Sequence, residues 1–296
     1  MKTILVLTDF SIRADHAAHY ALKLAQKIKA NLLLCNIFPA TGTEPISTPA
    51  GWPKRNYESF EEDSINELEE LANRLNRFLD DKVAGGEFRP AIEQCSKAGT
   101  VGDIIDQITS NQNVLMAVIS MHSRYGSIPF LLEDHANEII ERANCPVLVV
   151  PYQVPFTGFK KISFATDLTH NGTDILHCLY GLTKYFDSEI LVTHVADQNS
   201  LDVEEQQVIK QFFDQEPSGL NYPKIHYRAV KSNSVTAGLD WLSEHTDIDL
   251  LVLVHQKRNF FQKIFEESVT QKLAGHLNKP MLVFSCKKVW EPLPVF

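Results

Sequence analysis

Three groups of residues in this chain have types and spacings that could do chemistry. An aspartate closes a short apolar run twice, as Thr8-Asp9 and as Thr166-Asp167. A carboxylate there can accept hydrogen bonds from a ligand, or it can cap the helix that follows. Thr-Asp-Phe-Ser and Thr-Asp-Leu-Thr both suit a cap, which is the favoured reading. The stretch SMHSRYGSIPFLLED (120–134) joins an apolar run to a helical pattern. Glycine-rich loops at such junctions cradle phosphate with backbone N–H groups, yet here Gly126 stands alone and the stretch closes on Glu133 and Asp134. His16 and His19 are spaced to share a helix face, as a two-ligand metal site would require, although such pairs are more often accidental. No G-x-S-x-G, P-loop GK[ST] or His-x-x-x-His occurs, so the sequence predicts no enzyme and no metal centre.

Composition narrows the function classes. The 296 residues suffice for two domains, and 44% apolar against 22% charged residues suits a globular protein. A net charge of −9, with both halves acidic, argues against nucleic acid as a partner. No apolar run approaches the roughly 20 residues that span a bilayer. MKTILVLTDF reads as a first strand rather than a signal peptide, because Asp9 interrupts its apolar run. Five widely spaced cysteines without a CxxC fit a reduced, cytoplasmic protein in which they serve as small hydrophobic residues.

The elements that must position these residues occur twice. KTILVLTDFS (2–11) matches KISFATDLT (161–169), and ANLLLCNIF (30–38) matches SEILVTHVA (188–196), both at an offset of 158. GTVGDIIDQI (99–108) matches NSVTAGLDWL (233–242) at an offset of 134. VLMAVIS with IDLLVLV, and NCPVLVV with NKPMLVF, keep that second offset. The second copy is therefore shorter by the difference between the two offsets, all of it expected between its second strand and third helix.

Each copy alternates apolar strand-like runs with helical patterns, the signature of a parallel sheet with helical crossovers. Ser11 or Asp9 is placed to cap the first helix. SFEEDSINELEELANRLNRFLDD predicts a helix with Ile65, Leu68, Leu71, Leu75 and Phe78 on its apolar face. Right-handed crossovers then give a doubly wound sheet of about five strands per copy. Residues 38–56 read as a proline-rich loop, 151–159 as a linker and 289–296 as an extended tail whose Trp290 and Phe296 pack on the body.

This ordered, duplicated pattern resembles the universal stress protein family in its tandem form. Thr8-Asp9, Thr166-Asp167, the strand Thr193-His194-Val195 and CPVLVV carry the resemblance, which covers essentially the whole chain. It implies two Rossmann-like α/β domains, 1–152 and 157–296, that pair through PVLVV and PMLVF as an intramolecular pseudo-dimer. A further homodimer is compatible with it. It also implies a nucleotide site recognised by G-x2-G-x9-G-S/T after the fourth strand. Those glycine positions fall on Ser120, Ser123 and Glu133 in the first copy and on Val254, Lys257 and Glu267 in the second. None is glycine, and of the two hydroxyl positions Asp134 has lost the hydroxyl while Ser268 keeps it.

Side chains at these positions restrict backbone approach, and a positive φ at β-branched Val254 would be strained. Glu133-Asp134 and Glu266-Glu267 would repel a triphosphate, each by on the order of 1 kcal/mol or more. The favoured reading of these acids is that they complement the dipole of a first helical turn. Asp9 and Asp167 match the family's adenine-contacting aspartate, which sets a purine site without a phosphate grip against the helix cap. His194 is expected as a buried, hydrogen-bonded, neutral imidazole. His122 and His255 fall in different registers, and Arg124-Tyr125 and Lys257-Arg258 leave some positive charge that could meet a small anion. The expectation is a cytoplasmic stress-response protein without a cofactor, acting through a protein partner or a small ligand. The alternative is an ATP or AMP sensor with a degenerate site at Asp9, Asp167, Val195 and Ser268, most developed in the second domain.

Overall fold

The structure is a computed structural model that describes residues 1–39, 57–82, 87–111, 113–120, 135–168, 171–196, 207, 209–210, 212, 222–255 and 279–285. The chain folds as two compact units, divided at Val147–Leu148. The first repeat runs β1 (Thr3–Leu7), α1 (Ile12–Ile28), β2 (Asn31–Phe38), α2 (Tyr57–Lys82), β3 (Ile92–Ala98), α3 (Val101–Asn111), β4 (Val114–Ser120), α4 (Ala136–Arg142) and β5 (Val147–Val150). The second runs β6 (Lys161–Ala165), α5 (Asn171–Phe186), β7 (Glu189–Ala196), β8 (Ile225–Lys231), α6 (Val235–His245), β9 (Leu250–His255) and β10 (Met281–Ser285).

Strand order is β3-β2-β1-β4-β5 in the first repeat and β8-β7-β6-β9-β10 in the second, the same doubly wound topology. β1 pairs in parallel with β2 and β4, and β6 does so with β7 and β9. Each central strand is buried on both faces, with Ile4, Leu5, Val6, Ile162 and Phe164 all at 0% exposure. This double burial is why the strands read as unbroken apolar runs. β3 and β8 differ, since IEQCSKA and IHYRAVK are largely half-buried or exposed edge strands. Edge strands of this composition resist edge-to-edge pairing, and their polarity hides them from an apolar-run search.

Registers refine the length difference between the copies. Leu32 pairs with Ile92, and its counterpart Ile190 pairs with Ile225. Ile92 therefore corresponds to Ile225 and not to His226, the residue that the offset of 134 would assign. The shortening does fall between the second strand and the third helix, but it is not a single cut. The second copy loses slightly more before β8 and regains a single position before α6. Matched backbone details support the alignment. Phe10 and Leu168 both have φ 62°, and Lys29 and Asp187 have φ 55° and 53° at the ends of the first helices.

Two local expectations are corrected. Ile65 is 47% exposed, and the buried face of α2 runs through Ser64, Leu68, Leu71, Leu75 and Leu79. That spacing follows 100° per residue more closely, so a serine holds the place that apolarity assigned to Ile65. Ser64 Oγ donates to Asn36 Oδ1 at 2.9 Å and lies 2.7 Å from Ser96 Oγ, pinning α2 to β2 and β3. The cap of α1 belongs to Ser11, whose side chain accepts from Ala14 N at 3.2 Å. Asp9 instead accepts from Ser11 N at 3.0 Å, fixing the turn before the cap. The connector holds a packed cluster: Phe159 is buried at 1% exposure, with ring centroids 5.5 Å from Phe156 and 5.1 Å from Phe186 of α5.

Candidate functional site

In the second unit, a cavity of about 150 Å³ opens at the carboxyl ends of β6, β7 and β9. The strand order reverses between β6 and β9, and open α/β sheets bind ligands at such a switch point. Ala165, Thr166 and Asp167 form one wall, and Thr193, His194 and Val195 another. Val235 and Leu239 of α6, with Leu253 and Val254 of β9, complete an apolar lining in which Asp167 is the one carboxylate among the described residues. Aliphatic cavities of about this volume hold a single small ring.

Close approach of α6 shapes the wall. A Cβ added to Gly238 would lie 2.6 Å from Val195 Cγ1 and 2.9 Å from Cγ2, so glycine lets the helix settle against Val195. Ser234 caps α6 by accepting from Ala237 N at 3.2 Å. At the far side, the His194 Nδ1–H donates to Thr166 O at 3.0 Å. That bond places a proton on Nδ1. The hydrogen-bonded imidazole is as expected, but His194 is half-buried rather than enclosed.

The matching region of the first unit is built differently. A cavity of about 220 Å³ lies between the ends of β1 and β2 and helix α2. Asp9, Asp63 and Glu67 all line it, so its field opposes an anionic ligand. Its threonine carbonyl, Thr8 O, is held by Asn36 Nδ2 at 2.7 Å, where the second unit uses His194.

The expected residues divide as follows. Asp167 and Val195 share the second cavity, and Asp9 lines the first. Val254 does not occupy a turn: it continues β9, in register with Phe284, and has no positive φ. Ser120 likewise ends β4, buried at 6% exposure, without a positive φ. At the described first-glycine positions, then, the strand simply continues. Ser123, Glu133, Asp134, Lys257, Glu267 and Ser268 lie outside the described residues, as do His122, Arg124, Tyr125, Gly126, Arg258, Glu266, Trp290 and Phe296. The expected proline-rich loop lies outside them too, over 40–56.

His19 serves packing, since its Nδ1–H donates to Asp15 O at 2.9 Å and its ring meets Phe78 edge-on. Arg74 reaches Asp15 Oδ1 at 2.9 Å, tying α2 to α1. Among the described residues, no cluster of three or more His, Cys, Asp or Glu could hold a metal ion. Nor is any described helix long and apolar enough to cross a membrane. Asn36 and Gly238 escaped the sequence reading. The repeat offset that aligns Asn36 with His194, and a lone glycine inside a helical pattern, were the available signals.

The sequence model of the universal stress protein family matches residues 1–151, just over half of the chain. The chain belongs to the universal stress protein family. No curated protein matches it significantly by sequence. Among solved structures, it is similar to a universal stress protein from Archaeoglobus fulgidus DSM 4304, with TM-score 0.64, 13% identity and 96% of each chain covered. It is also similar to a putative universal stress protein from Pseudomonas aeruginosa UCBPP-PA14, with TM-score 0.52, 14% identity and coverage of 96% and 92%. The cytoplasmic domain of a prokaryotic cation chloride cotransporter shares the fold at TM-score 0.54, 10% identity and coverage of 95% and 93%. At these identities the likeness is one of fold. It extends the universal stress architecture over both repeats.

Proposed function

We propose that this universal stress protein acts in the stress response by sensing a small ligand in the second unit's cavity, without catalysis and without a triphosphate grip. One observation carries the reading: Asp167 and Val195 converge on an aliphatic cavity whose first expected phosphate-loop position, Val254, is a strand residue. Asp167 can accept from an exocyclic amine or a hydroxyl while the valines and leucines enclose a ring. Adenosine-like heterocycles have that chemistry. A strand N–H engaged in the sheet is not free to wrap a phosphate chain.

The alternative, an ATP or AMP sensor using Asp167, Val195 and Ser268, is favoured by the same convergence and differs only in the phosphate term. Calorimetric titration of the purified full chain with adenosine, AMP and ATP separates the two. Adenosine and AMP binding about as tightly as ATP, and weakened at least tenfold by Asp167→Ala, supports ligand sensing at the base end. ATP binding tenfold or more tighter than adenosine, with the gain lost in Ser268→Ala, establishes the nucleotide sensor instead. Binding of none of the three overturns the cavity as an adenosine-type site and leaves a protein partner as the effector.

A further inference from the structure

Cys35 and Cys95 are far apart in sequence, with no CxxC to announce them, yet the β2–β3 register makes them direct Cα partners. Adjacent strands are about 4.8 Å apart, and a disulfide needs Cα atoms roughly 4.4–6.8 Å apart. In a parallel pair, partnered side chains leave the same face, and the two thiols interact with each other. That face is the one away from α2: Ser96, the next residue, points to Ser64 of the helix. Alternation therefore puts Glu93, Cys95 and Lys97 in one row, and Glu93 and Lys97 are exposed. Cys95 is half-buried in this solvent-facing row, whereas Cys35 behind it has 0% exposure. One thiol is reachable, the other is protected, and both are free.

Their protonation is divided in the same sense. Hydrogen bonding with Cys35 and the nearby charge of Lys97 bring the Cys95 thiol down to about 7, despite its partial burial. Cys35 is held well above the ordinary thiol value, first by its interaction with Cys95 and then by burial. Once Cys95 ionises, the arrangement is a thiol donating to a thiolate. The contact of Cys35 Sγ with Asn36 O, at 4.0 Å, is too long to compete for that proton. The other two described cysteines, Cys145 and Cys178, are buried at 4% and 1% exposure, away from this row.

We infer that Cys35 and Cys95 form a peroxide-sensitive dithiol, with Cys95 the site of attack and Cys35 the resolving thiol. The Cys95 thiolate attacks one oxygen of a hydroperoxide and the O–O bond breaks. Cys95 becomes a sulfenic acid, and the departing hydroxide (or alkoxide) takes a proton from solvent. Cys35 sulfur then displaces the sulfenic oxygen, which leaves as water with the Cys35 proton. Two thiols are oxidised by two electrons to one disulfide, and hydrogen peroxide is reduced to two waters. A disulfide confined to two neighbouring strands asks for little backbone movement, and a thiol reductant reverses it. Such pairs act as sensors where ordinary structural disulfides are not kept. The bridge would join β2 to the edge strand β3 beside the first unit's cavity, whose wall includes Cys35.

The test treats the reduced full chain with one equivalent of hydrogen peroxide and maps cysteines by peptide mass spectrometry. The expected product is a Cys35–Cys95 cross-link that dithiothreitol removes. Cys35→Ser should instead accumulate Cys95 sulfenic acid, trapped by a cyclic dione. Iodoacetamide should modify Cys95 about threefold faster than an ordinary exposed thiol at pH 7, with half-maximal rate near that pH. In Cys35→Ala the midpoint should move upward, because the thiolate loses the side chain that donates to it. Oxidation of Cys145 or Cys178 ahead of Cys95 overturns the inference. So does the absence of the cross-link in the unsubstituted chain, which needs no variant to fold. An alkylation profile identical in both proteins overturns the division of roles.

Discussion

Asn36 and His194 hold the same place in the two units. Each donates a side-chain N–H to the carbonyl of a threonine at the end of the central strand, Thr8 O at 2.7 Å and Thr166 O at 3.0 Å. The repeat thus keeps a hydrogen bond while changing the group that makes it. A buried carbonyl at a strand end needs a donor, because leaving it unpaired costs about 1–3 kcal/mol. His194→Asn should therefore copy the first unit and change stability by less than about 1 kcal/mol. His194→Ala should lose about 1–3 kcal/mol. Urea denaturation of the three proteins measures the difference. Equal losses in both variants would show that ring packing matters and the hydrogen bond does not.

Gly238 sets the width of the second cavity. A methyl group there meets both Val195 methyls, at 2.6 and 2.9 Å, on a helix already seated against β7. Gly238→Ala gains about 1 kcal/mol of helix propensity and loses roughly 1–3 kcal/mol to overpacking. The net expectation is a modest destabilisation together with weaker ligand binding, since Val195 must turn into the cavity or α6 must lift. Thermal melting and calorimetric titration of the same preparation report both effects. A variant that is stabilised and binds unchanged would mean that the wall yields freely.

At the start of α1, the division between Ser11 and Asp9 is measurable. Ser11 accepts from a helix N–H, whereas Asp9 accepts from Ser11 N outside the helix. Ser11→Ala should cost about 1 kcal/mol, the usual loss for a cap. Asp9→Ala should cost about half as much or less, because its loss frees a turn and no helical donor. Equilibrium unfolding ranks them, and the reverse order would return the cap to Asp9.

What the sequence shows and what it hides both follow from where side chains sit. The central strands are legible because burial on both faces disfavours polar residues, so Ile4–Val6 and Leu250–Leu253 announce themselves. The edge strands β3 and β8 are not, since one face of each meets water and IHYRAVK carries no apolar run. Ser64 is hidden behind Ile65 because periodicity counts apolar residues, and here the buried position is satisfied by hydrogen bonds to Asn36 and Ser96. Asp167 and Val195 are marked by their place in the repeat, and they do share a cavity. The Cys35–Cys95 pair is invisible, because strand register and not sequence spacing brings the thiols together.

That pair also makes stability depend on pH in a definite direction. The Cys95 thiol is held down to about 7 in the folded chain, against 9.0 for a free cysteine. Between these values the folded chain has released a proton that the unfolded chain still holds. Stability due to Cys95 therefore rises as pH goes from about 7 towards 9, is fully present above, and is lost as pH falls through 7. Cys35, held above its ordinary value, acts in the opposite sense and removes stability only at higher pH, once the unfolded thiol ionises. The two together predict a maximum near pH 9. Measured under reductant, the urea midpoint of the unsubstituted chain should rise relative to Cys95→Ser between pH 6.5 and 8.5, and the gap should shrink again beyond pH 9.5. A gap that stays constant across this range would mean that the thiols do not share a proton in the folded state.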